Sequence, residues 1–319
     1  MISPYEQITN SLKNGKITGS WLITGPFGVG KKTFANRLSA FLTTGNWDTK
    51  IDFNPNVKWI TCSLTEDAKK EIQKMILAGK EVEENTKTLA RKKEITVDDI
   101  REGVKFLSLK SNADEYRILI ISLAEEMNTN AANALLKMLE EPFPRSVILL
   151  LSQNTGKLLP TIASRCRKIN IQRLAFEDEI VELKKLLPES PHIELLAELS
   201  DGSIGLALKI HENDGLKLYQ KMNACFIPLS RMDIQALNDF ADTVHKNEES
   251  FTLFQIFLTN WFAKTIKESY ETNPILSENL LNLYETTNAL FSNVSNIYLD
   301  RRQAIINTFL SIGEVLNDR

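Results

Sequence analysis

The first half of the chain alternates short apolar runs with longer segments of helical period. The apolar runs are Trp21 to Ile23, Val57 to Cys62, Arg117 to Ser122, Ser146 to Ser152 and Arg167 to Gln172. In the segment after the first run, Phe34, Leu38 and Phe41 recur at helical spacing, and Thr96 with the acids that follow it is typical of another helix start. Nearly continuous apolar strands between helices predict a parallel sheet that helices cover on both faces.

The second half of the chain is predicted to be helical throughout. Past about Leu174 the apolar runs stop, and apolar residues keep a helical period to the end. Breaks in the pattern predict three domains: an α/β domain at 1–173, a small helical domain at 174–213 and an all-α domain at 214–319. Residues 3–14 are also predicted to form a helix, and residues 64–93 to form a charged segment that is either helical or partly flexible.

A glycine-rich loop, Gly25 to Lys31, follows the first predicted strand. Small residues let consecutive backbone N–H groups surround a phosphate, while the helix N-terminus and a lysine supply positive potential. A complete P-loop has Ser or Thr directly after its lysine to bind Mg²⁺, but here Lys32 holds that position and Thr33 lies about 100° further round the helix. The loop therefore predicts a weak, degenerate nucleotide site. Its residues are Gly25, Gly28, Gly30, Lys31, Lys32 and Thr33. The plain alternative is a loop that keeps its shape and binds nothing.

The carboxylates of a nucleotide hydrolase are missing at the expected place. Such an enzyme needs an acid at the end of a neighbouring strand to hold the hydrated Mg²⁺, and often a second acid to activate water. The candidate strand ends in Ser122 and Leu123. Glu125 and Glu126 lie beyond it, where they are predicted at a helix start. A shifted register that makes one of them the catalytic acid stays open.

Composition and charge narrow the class of partner. The net charge of -3 over 319 residues argues against a broad basic surface for nucleic acid, so protein partners are expected. A charged helix near residues 87–110 leaves direct DNA contact open. The N-terminus lacks an apolar signal core, and no run approaches the roughly 18 residues of a membrane span, so a cytoplasmic location away from the membrane is expected.

The cysteines and histidines predict no metal site. Cys62, Cys166 and Cys225 are far apart and form no C-x-x-C pair, which excludes a four-thiolate zinc site within the chain. The histidines lie outside any ligand-like spacing, and we interpret them as surface or capping residues. They are His192, His211 and His245. No metal, and in particular no zinc, is therefore expected.

Four segments resemble one family. The loop Gly25 to Lys31 is similar to the phosphate loop of AAA+ clamp-loader subunits, and Leu158 to Cys166 contains that family's Ser-Arg-Cys signature. Glu126 to Asn128 followed by Asn133 to Pro142 resembles the segment after the family's acidic motif, and Gly202 to Ala207 resembles the glycine turn of its lid. The resemblance implies an AAA+ P-loop domain, a helical lid and a helical collar for oligomerisation, although the C-terminal third matches only as a helical domain.

The Ser-Arg-Cys signature implies a role for one arginine. In the family this arginine reaches ATP held by a neighbouring subunit, so the resemblance assigns Arg165 as an arginine finger acting in trans, with Ser164 and Cys166 completing the motif. The plain alternative is a surface arginine that pairs with an acid at a strand entrance. Cys166 is expected to pack beside the finger and not to act as a nucleophile.

The missing carboxylates imply a stator-like member that does not hydrolyse ATP. The lid arginine of the motor subunits also looks absent, since the turn reads Ile204-Gly205-Leu206. The implied function is to help load the sliding clamp on primed DNA, as an accessory subunit of the DNA polymerase III holoenzyme. The implied partners are gamma/tau and delta subunits in a hetero-oligomeric ring, with the clamp and primer-template DNA contacted through the complex. ATP or ADP bound without hydrolysis is possible on this resemblance.

Two other functions stay open. The first is a catalytically active ATPase, either a gamma/tau-like motor or another P-loop ATPase, with an atypical metal site. The second is a scaffolding ring subunit in which Arg165 has lost its function.

Overall fold

The computed structural model describes residues 19–47, 54–63, 94–109, 115–227, 229–294 and 300–317. The predicted segments 3–14 and 64–93 lie outside these ranges. The chain divides into two compact units, Met1–Ala175 and Phe176–Arg319. The division lies close to the predicted edge near residue 174.

The first unit contains a parallel five-stranded sheet. The strands are β1 (Gly19–Thr24), β2 (Val57–Ile60), β3 (Arg117–Ile121), β4 (Ser146–Ser152) and β5 (Arg167–Asn170). All pairings are parallel and the order is β2-β3-β4-β1-β5. The predicted strands are confirmed, although β2 and β5 end two residues earlier than predicted. Because β1 lies between β4 and β5, the loop after β1 lies at the same sheet edge as the ends of both neighbours.

The helices of the first unit begin at recognisable caps. They are α1 (Lys31–Thr44), α2 (Val97–Ser108), α3 (Thr129–Glu140) and the short α4 (Pro160–Ala163). At the start of α2, the Asp99 carboxylate accepts from the Thr96 backbone N–H (2.8 Å) and hydroxyl (2.6 Å), as the predicted helix start requires. At the start of α3, Asn128 Oδ1 accepts from the Ala131 N–H at 2.9 Å.

Helices cover the sheet on both faces, as the apolar runs predict. Alternate residues of each strand point to opposite faces, so Leu119 and Ile121 belong to one core while Ile118 and Ile120 belong to the other. The first core includes residues of α2 and α3, and the second includes Phe34 of α1. The phosphate loop is therefore anchored on both sides by buried elements.

The second unit is built from helices in all of its described parts. They are α5 (Phe176–Leu186), α6 (Ile193–Ser200), α7 (Ile204–Glu212), α8 (Gly215–Asn223), α9 (Ile234–His245), α10 (Glu248–Ser269), α11 (Pro274–Val294) and α12 (Arg301–Asn317). One apolar core, rich in phenylalanine, includes buried residues from all of them. The predicted α/β domain followed by helices is thus confirmed, while the further division between residues 213 and 214 stays a prediction.

The segment that resembles the glycine turn of the family's lid is held by a buried carboxylate. Glu179 of α5 is fully buried and accepts from the Ser200 hydroxyl at 2.7 Å and from the Gly202 N–H at 2.6 Å. Ser203 then caps α7, its hydroxyl accepting from the Leu206 N–H at 3.2 Å. These bonds connect α5, α6 and α7. None of the helices that the structure describes is both long and apolar enough to cross a bilayer.

Candidate functional site

The glycines of the phosphate loop adopt backbone angles that favour glycine. The φ values are 149° at Gly25, 74° at Gly28 and 93° at Gly30. Gly25 is also tightly enclosed, because a Cβ at this position would lie 2.3 Å from the carbonyl oxygen of Ile171. The loop therefore keeps the shape of a phosphate cradle, with α1 beginning at Lys31 directly behind it.

Lys31 is bound by the loop's own carbonyl groups. Its Nζ donates to the Gly25 oxygen at 2.6 Å and to the Pro26 oxygen at 2.5 Å. Burial lowers the pKa of Lys31 below its usual 10.5, and the negative charge of Glu125 partly opposes this shift. To reach a phosphate, the ammonium group must first leave these carbonyls. Lys32 and Thr33 are both exposed on α1.

Other polar side chains lie near the carboxyl ends of the strands. The Thr24 hydroxyl lies 3.1 Å from Asn170 Oδ1 and 3.3 Å from the Ile169 oxygen. Ser152, paired in register with Thr24, has a buried hydroxyl without a hydrogen-bond partner among the described residues. These groups can bind a ligand through neutral dipoles, but they contribute no negative charge.

Strand β3, which pairs with β4, carries no carboxylate at its end. It stops at Ile121, and Ser122 and Leu123 follow. Glu125 and Glu126 belong to a 3₁₀ turn, Ala124–Glu126, so they lie at a helical turn and not on the strand. Both acids therefore lie beyond the end of β3, and a catalytic role for one of them stays an open alternative.

The two glutamates of this turn have different surroundings. Glu125 Oε1 accepts from the Gln153 N–H at 2.8 Å, and its Oε2 is buried without a hydrogen bond in the described part of the chain. Glu126 instead accepts from the Cys62 thiol at 2.9 Å. Of these two glutamates, Glu125 is the one whose negative charge raises the pKa of Lys31. Sequence reasoning missed this relation because the two residues are 94 positions apart, and only the strand order brings them together.

The residues at this edge fit a phosphate better than a hydrated magnesium ion. The backbone cradle and Lys31 suit an anion, whereas Lys32, Ser122 and Leu123 stand where a hydroxyl and carboxylates are needed. Among the described residues, no group of three or more His, Cys, Asp or Glu side chains is arranged to hold a metal ion. We therefore derive no hydrolysis step at this site.

Arg165 lies on the surface between α4 and β5 and is paired with an acid of its own chain. Its Nε and Nη2 lie 2.7 and 2.6 Å from Glu140 Oε1, and its Nη1 donates to the Thr161 oxygen at 3.0 Å. The side chains are 36% and 50% exposed for Arg165 and Glu140, so both remain accessible to water. This is the surface pair at a strand entrance that the plain alternative describes, and it neither requires nor excludes action on a neighbour.

Sequence reasoning missed Glu140 as the partner of Arg165. Glu140 is the last residue of α3, where a negative charge opposes the helix dipole. Glu140 and Glu141 both place negative charge at the carboxyl end of α3, and a nearby cation would offset this unfavourable interaction with the helix dipole. This charge pattern is the sequence signal that could have pointed to a cationic partner. The family resemblance covers this segment as a pattern and assigns its individual acids no role.

The other residues of the signature have structural surroundings. Cys166 is buried in the core beside α3, and burial raises the pKa of its thiol to about 12, which disfavours a thiolate. The Ser164 hydroxyl donates to the Thr161 oxygen at 3.1 Å. Cys62 and Cys225 are also buried, and neither forms a disulfide within the described residues. His192 and His211 are exposed.

Comparison with known proteins assigns the family. A family profile described as "DNA polymerase III, delta subunit" matches residues 3–175. The DNA polymerase III subunit delta' of Pseudomonas aeruginosa is 31% identical over 66% of this chain and 61% of its own length. The DNA polymerase III subunit gamma of Buchnera aphidicola from Schizaphis graminum is 28% identical over 65% of this chain and 54% of its own length. The matches therefore span less than two thirds of these curated relatives.

One solved structure supports the fold. A DNA polymerase III gamma subunit-related protein of Thermotoga maritima aligns over 96% of this chain and 98% of its own, with a TM-score of 0.55 and 19% sequence identity. This likeness bears on the fold alone.

The matched stretch includes the phosphate loop, the segment around Glu140 and the Ser-Arg-Cys signature. The predicted resemblance to the delta-prime subunit of DNA polymerase III is confirmed by the profile and by the Pseudomonas relative. The chain belongs to the DNA polymerase III delta subunit family, with the α/β AAA+ fold and helical C-terminal part that its sequence predicts.

Proposed function

We propose that this chain is a stator-like subunit of a bacterial DNA polymerase III clamp loader, which helps to load the sliding clamp on primed DNA without hydrolysing ATP itself. The observation that carries the proposal is the end of β3, where Ser122 and Leu123 replace the carboxylates that hydrolysis needs. The Lys31 ammonium, bound by the loop's own carbonyls, supports the same conclusion.

The phosphate loop can still hold a nucleotide in this proposal. The backbone N–H groups of Gly28 and Gly30 and the ammonium group of Lys31 would bind the phosphates of ATP or ADP. Binding would cost the two Lys31 hydrogen bonds to Gly25 and Pro26. A bound nucleotide would therefore stabilise the loop and remain intact.

The active contribution in this proposal is made by Arg165 toward a neighbouring subunit. Its guanidinium group is accessible at the surface, and a guanidinium that approaches a transferring phosphoryl group neutralises charge in the transition state. Such fingers contribute about 10³- to 10⁵-fold in rate. The proposed neighbours are gamma/tau and delta subunits in a cytoplasmic hetero-oligomeric ring, with residues 214–319 as the collar and with clamp and primer-template DNA reached through the complex.

The first test measures ATP turnover by the reconstituted complex with Arg165→Ala. The neighbouring site that faces this subunit should be isolated by inactivating the other nucleotide sites. We expect turnover there to fall by about 10³-fold or more, and Arg165→Lys to recover only part of it because lysine lacks the planar fork. Lys168→Ala, which removes an exposed cation of the neighbouring strand β5, is the matched control and should leave turnover unchanged. Unchanged turnover and clamp loading with Arg165→Ala would instead favour a scaffolding subunit.

A second variant separates a stator from an active ATPase. Lys31→Ala should leave the turnover of the complex unchanged, because the proposed chemistry uses the neighbour's nucleotide. Hydrolysis by the isolated chain with DNA present, abolished by Lys31→Ala, would contradict the proposal and favour an ATPase with an atypical metal site.

A further inference from the structure

The pair between Glu140 and Arg165 joins two separate parts of the family signature. Glu140 ends α3, while Arg165 lies between α4 and β5, 25 positions later in the chain. Two nitrogens of the guanidinium group, Nε and Nη2, lie within 2.7 Å of one carboxylate oxygen. The pair thus fixes one edge of the guanidinium plane against α3.

The carbonyl oxygen of Thr161 fixes a third nitrogen. It accepts from Arg165 Nη1 at 3.0 Å and also from the Ser164 hydroxyl at 3.1 Å. A guanidinium group has five N–H donors, and these contacts use three of them. In the described part of the chain no other group accepts from Arg165, so two donors remain available to a ligand.

The pair can act on Arg165 by restricting the rotamers of its side chain before a partner binds. An arginine loses rotamer freedom when it is immobilised, and a group that holds the guanidinium beforehand reduces that loss on binding. The carboxylate is also 50% exposed, so the pair is weak enough to adjust its geometry when a partner approaches.

We propose that Glu140 is a positioning residue for Arg165. It holds the guanidinium group by its Nε edge and leaves two N–H donors for a phosphate of the nucleoside triphosphate on a neighbouring subunit. This inference rests on the proposed function of Arg165. It assigns a role to the acid that ends α3, which the family resemblance left without one.

The expected effect is small compared with loss of the arginine itself. Exposed ion pairs contribute about 0.4–1 kcal/mol, which corresponds to about a two- to fivefold change in rate. Because the finger acts in the transition state, the change should appear in kcat while KM for ATP stays the same. A loss of folded subunit would also lower the apparent kcat at the same KM, so kcat is expressed per assembled complex.

The experiment compares Glu140→Ala and Glu140→Gln in the reconstituted complex, with kcat and KM measured at the neighbouring site. We expect Glu140→Ala to lower kcat two- to fivefold at unchanged KM. Glu140→Gln keeps an acceptor oxygen and should recover at least half of the loss. Glu141→Ala is the matched control, because this adjacent exposed acid makes no side-chain hydrogen bond within the described ranges, and it should leave kcat unchanged.

A double substitution separates positioning from a structural role. In an Arg165→Lys background the Nε edge is gone, so Glu140→Ala should have no further effect on kcat. An equal fold-loss in both backgrounds would overturn the inference, as would an unchanged or raised kcat with Glu140→Ala alone. If Arg165→Ala itself leaves turnover unchanged, the proposed function of Arg165 fails first. If Arg165→Ala abolishes turnover and Glu140→Ala has no effect, only the positioning role fails.

Discussion

Gly25 shows how a single residue sets the shape of the phosphate loop. Its φ of 149° is uncommon for other residues, and the Ile171 carbonyl leaves no room for a Cβ. Gly30 has a φ of 93°, but apart from its neighbours along the chain no described atom lies within 4 Å of the position that a Cβ would occupy. The two glycines therefore share a backbone preference and differ in available space.

This difference predicts unequal effects of alanine at the two positions. Gly25→Ala should lower the free energy of unfolding by about 2–5 kcal/mol, because backbone strain and a steric clash add together. Gly30→Ala should cost about 1–2 kcal/mol, since only the left-handed backbone is penalised. Urea unfolding of the full chain measures both. Equal losses would show that the Ile171 carbonyl moves away at little cost.

At the same scale, the sequence predicted part of the chemistry at the sheet edge that carries the phosphate loop. A correct assignment of β3 was enough to show that Ser122 and Leu123 follow this strand. The sequence did not show that Lys31 donates hydrogen bonds to Gly25 and Pro26, because these bonds depend on how the loop folds back. It also did not show that Glu125 influences the pKa of Lys31, because this depends on the 3₁₀ turn lying beside the loop. No periodicity encodes such contacts.

At the scale of elements, Arg302 connects two helices of the second unit. This residue of α12 binds Asp242 of α9 through Nε at 2.7 Å and Nη2 at 3.4 Å, and Nη2 also donates to Asn238 Oδ1 at 2.8 Å. The hydrogen bond from Arg302 holds the pKa of Asp242 below its usual 3.8. Folding therefore favours the ionised carboxylate.

The lowered pKa predicts how the stability conferred by Asp242 depends on pH. Because the pKa is lower in the folded state than in the unfolded state, the contribution is fully present above about pH 4 to 5 and is lost as the pH falls through the folded value. Asp242→Asn should thus be less stable than the parent near pH 6, and the difference should shrink below pH 3.8. The measurement is the urea midpoint from pH 3 to 6. Asp239→Asn, one turn earlier on α9, is the control and should differ less from the parent in urea midpoint. A difference in midpoint between Asp242→Asn and the parent that does not change with pH would contradict this account.

At the scale of the whole molecule, the helical unit has a continuous core. Its buried apolar residues extend from α5 to α12, across the predicted boundary between residues 213 and 214. Ion pairs also cross this boundary, from Lys209 of α7 to Glu249 of α10 and, at 4.0 Å, from Glu198 of α6 to Lys264 of α10. The small helical segment and the C-terminal helices therefore stabilise each other.

The continuous core predicts how fragments behave. A fragment of residues 176–319 should fold and unfold in one cooperative transition, because its core is complete. A fragment of residues 214–319 loses the apolar partners supplied by α5, α6 and α7, so it should be markedly less stable or aggregate. Far-UV circular dichroism during thermal unfolding tests both fragments. Independent cooperative folding of 214–319 would support three separate domains.

The sequence by itself determined the secondary-structure elements and showed that no carboxylate directly follows β3. Apolar runs and helical periods depend on neighbouring residues, so the strands and the change to an all-helical chain near residue 174 were predictable, and the absence of carboxylates directly after β3 was visible. The family signatures were equally visible.

Only the tertiary structure decided the strand order and the partners of the charged groups. The order β2-β3-β4-β1-β5 depends on which faces pack together over long distances in sequence. The same packing brings Glu125 close enough to act on Lys31 and Glu140 to Arg165. These contacts join residues that share no local pattern, because side-chain partners are chosen by proximity in the folded chain and not by spacing along it.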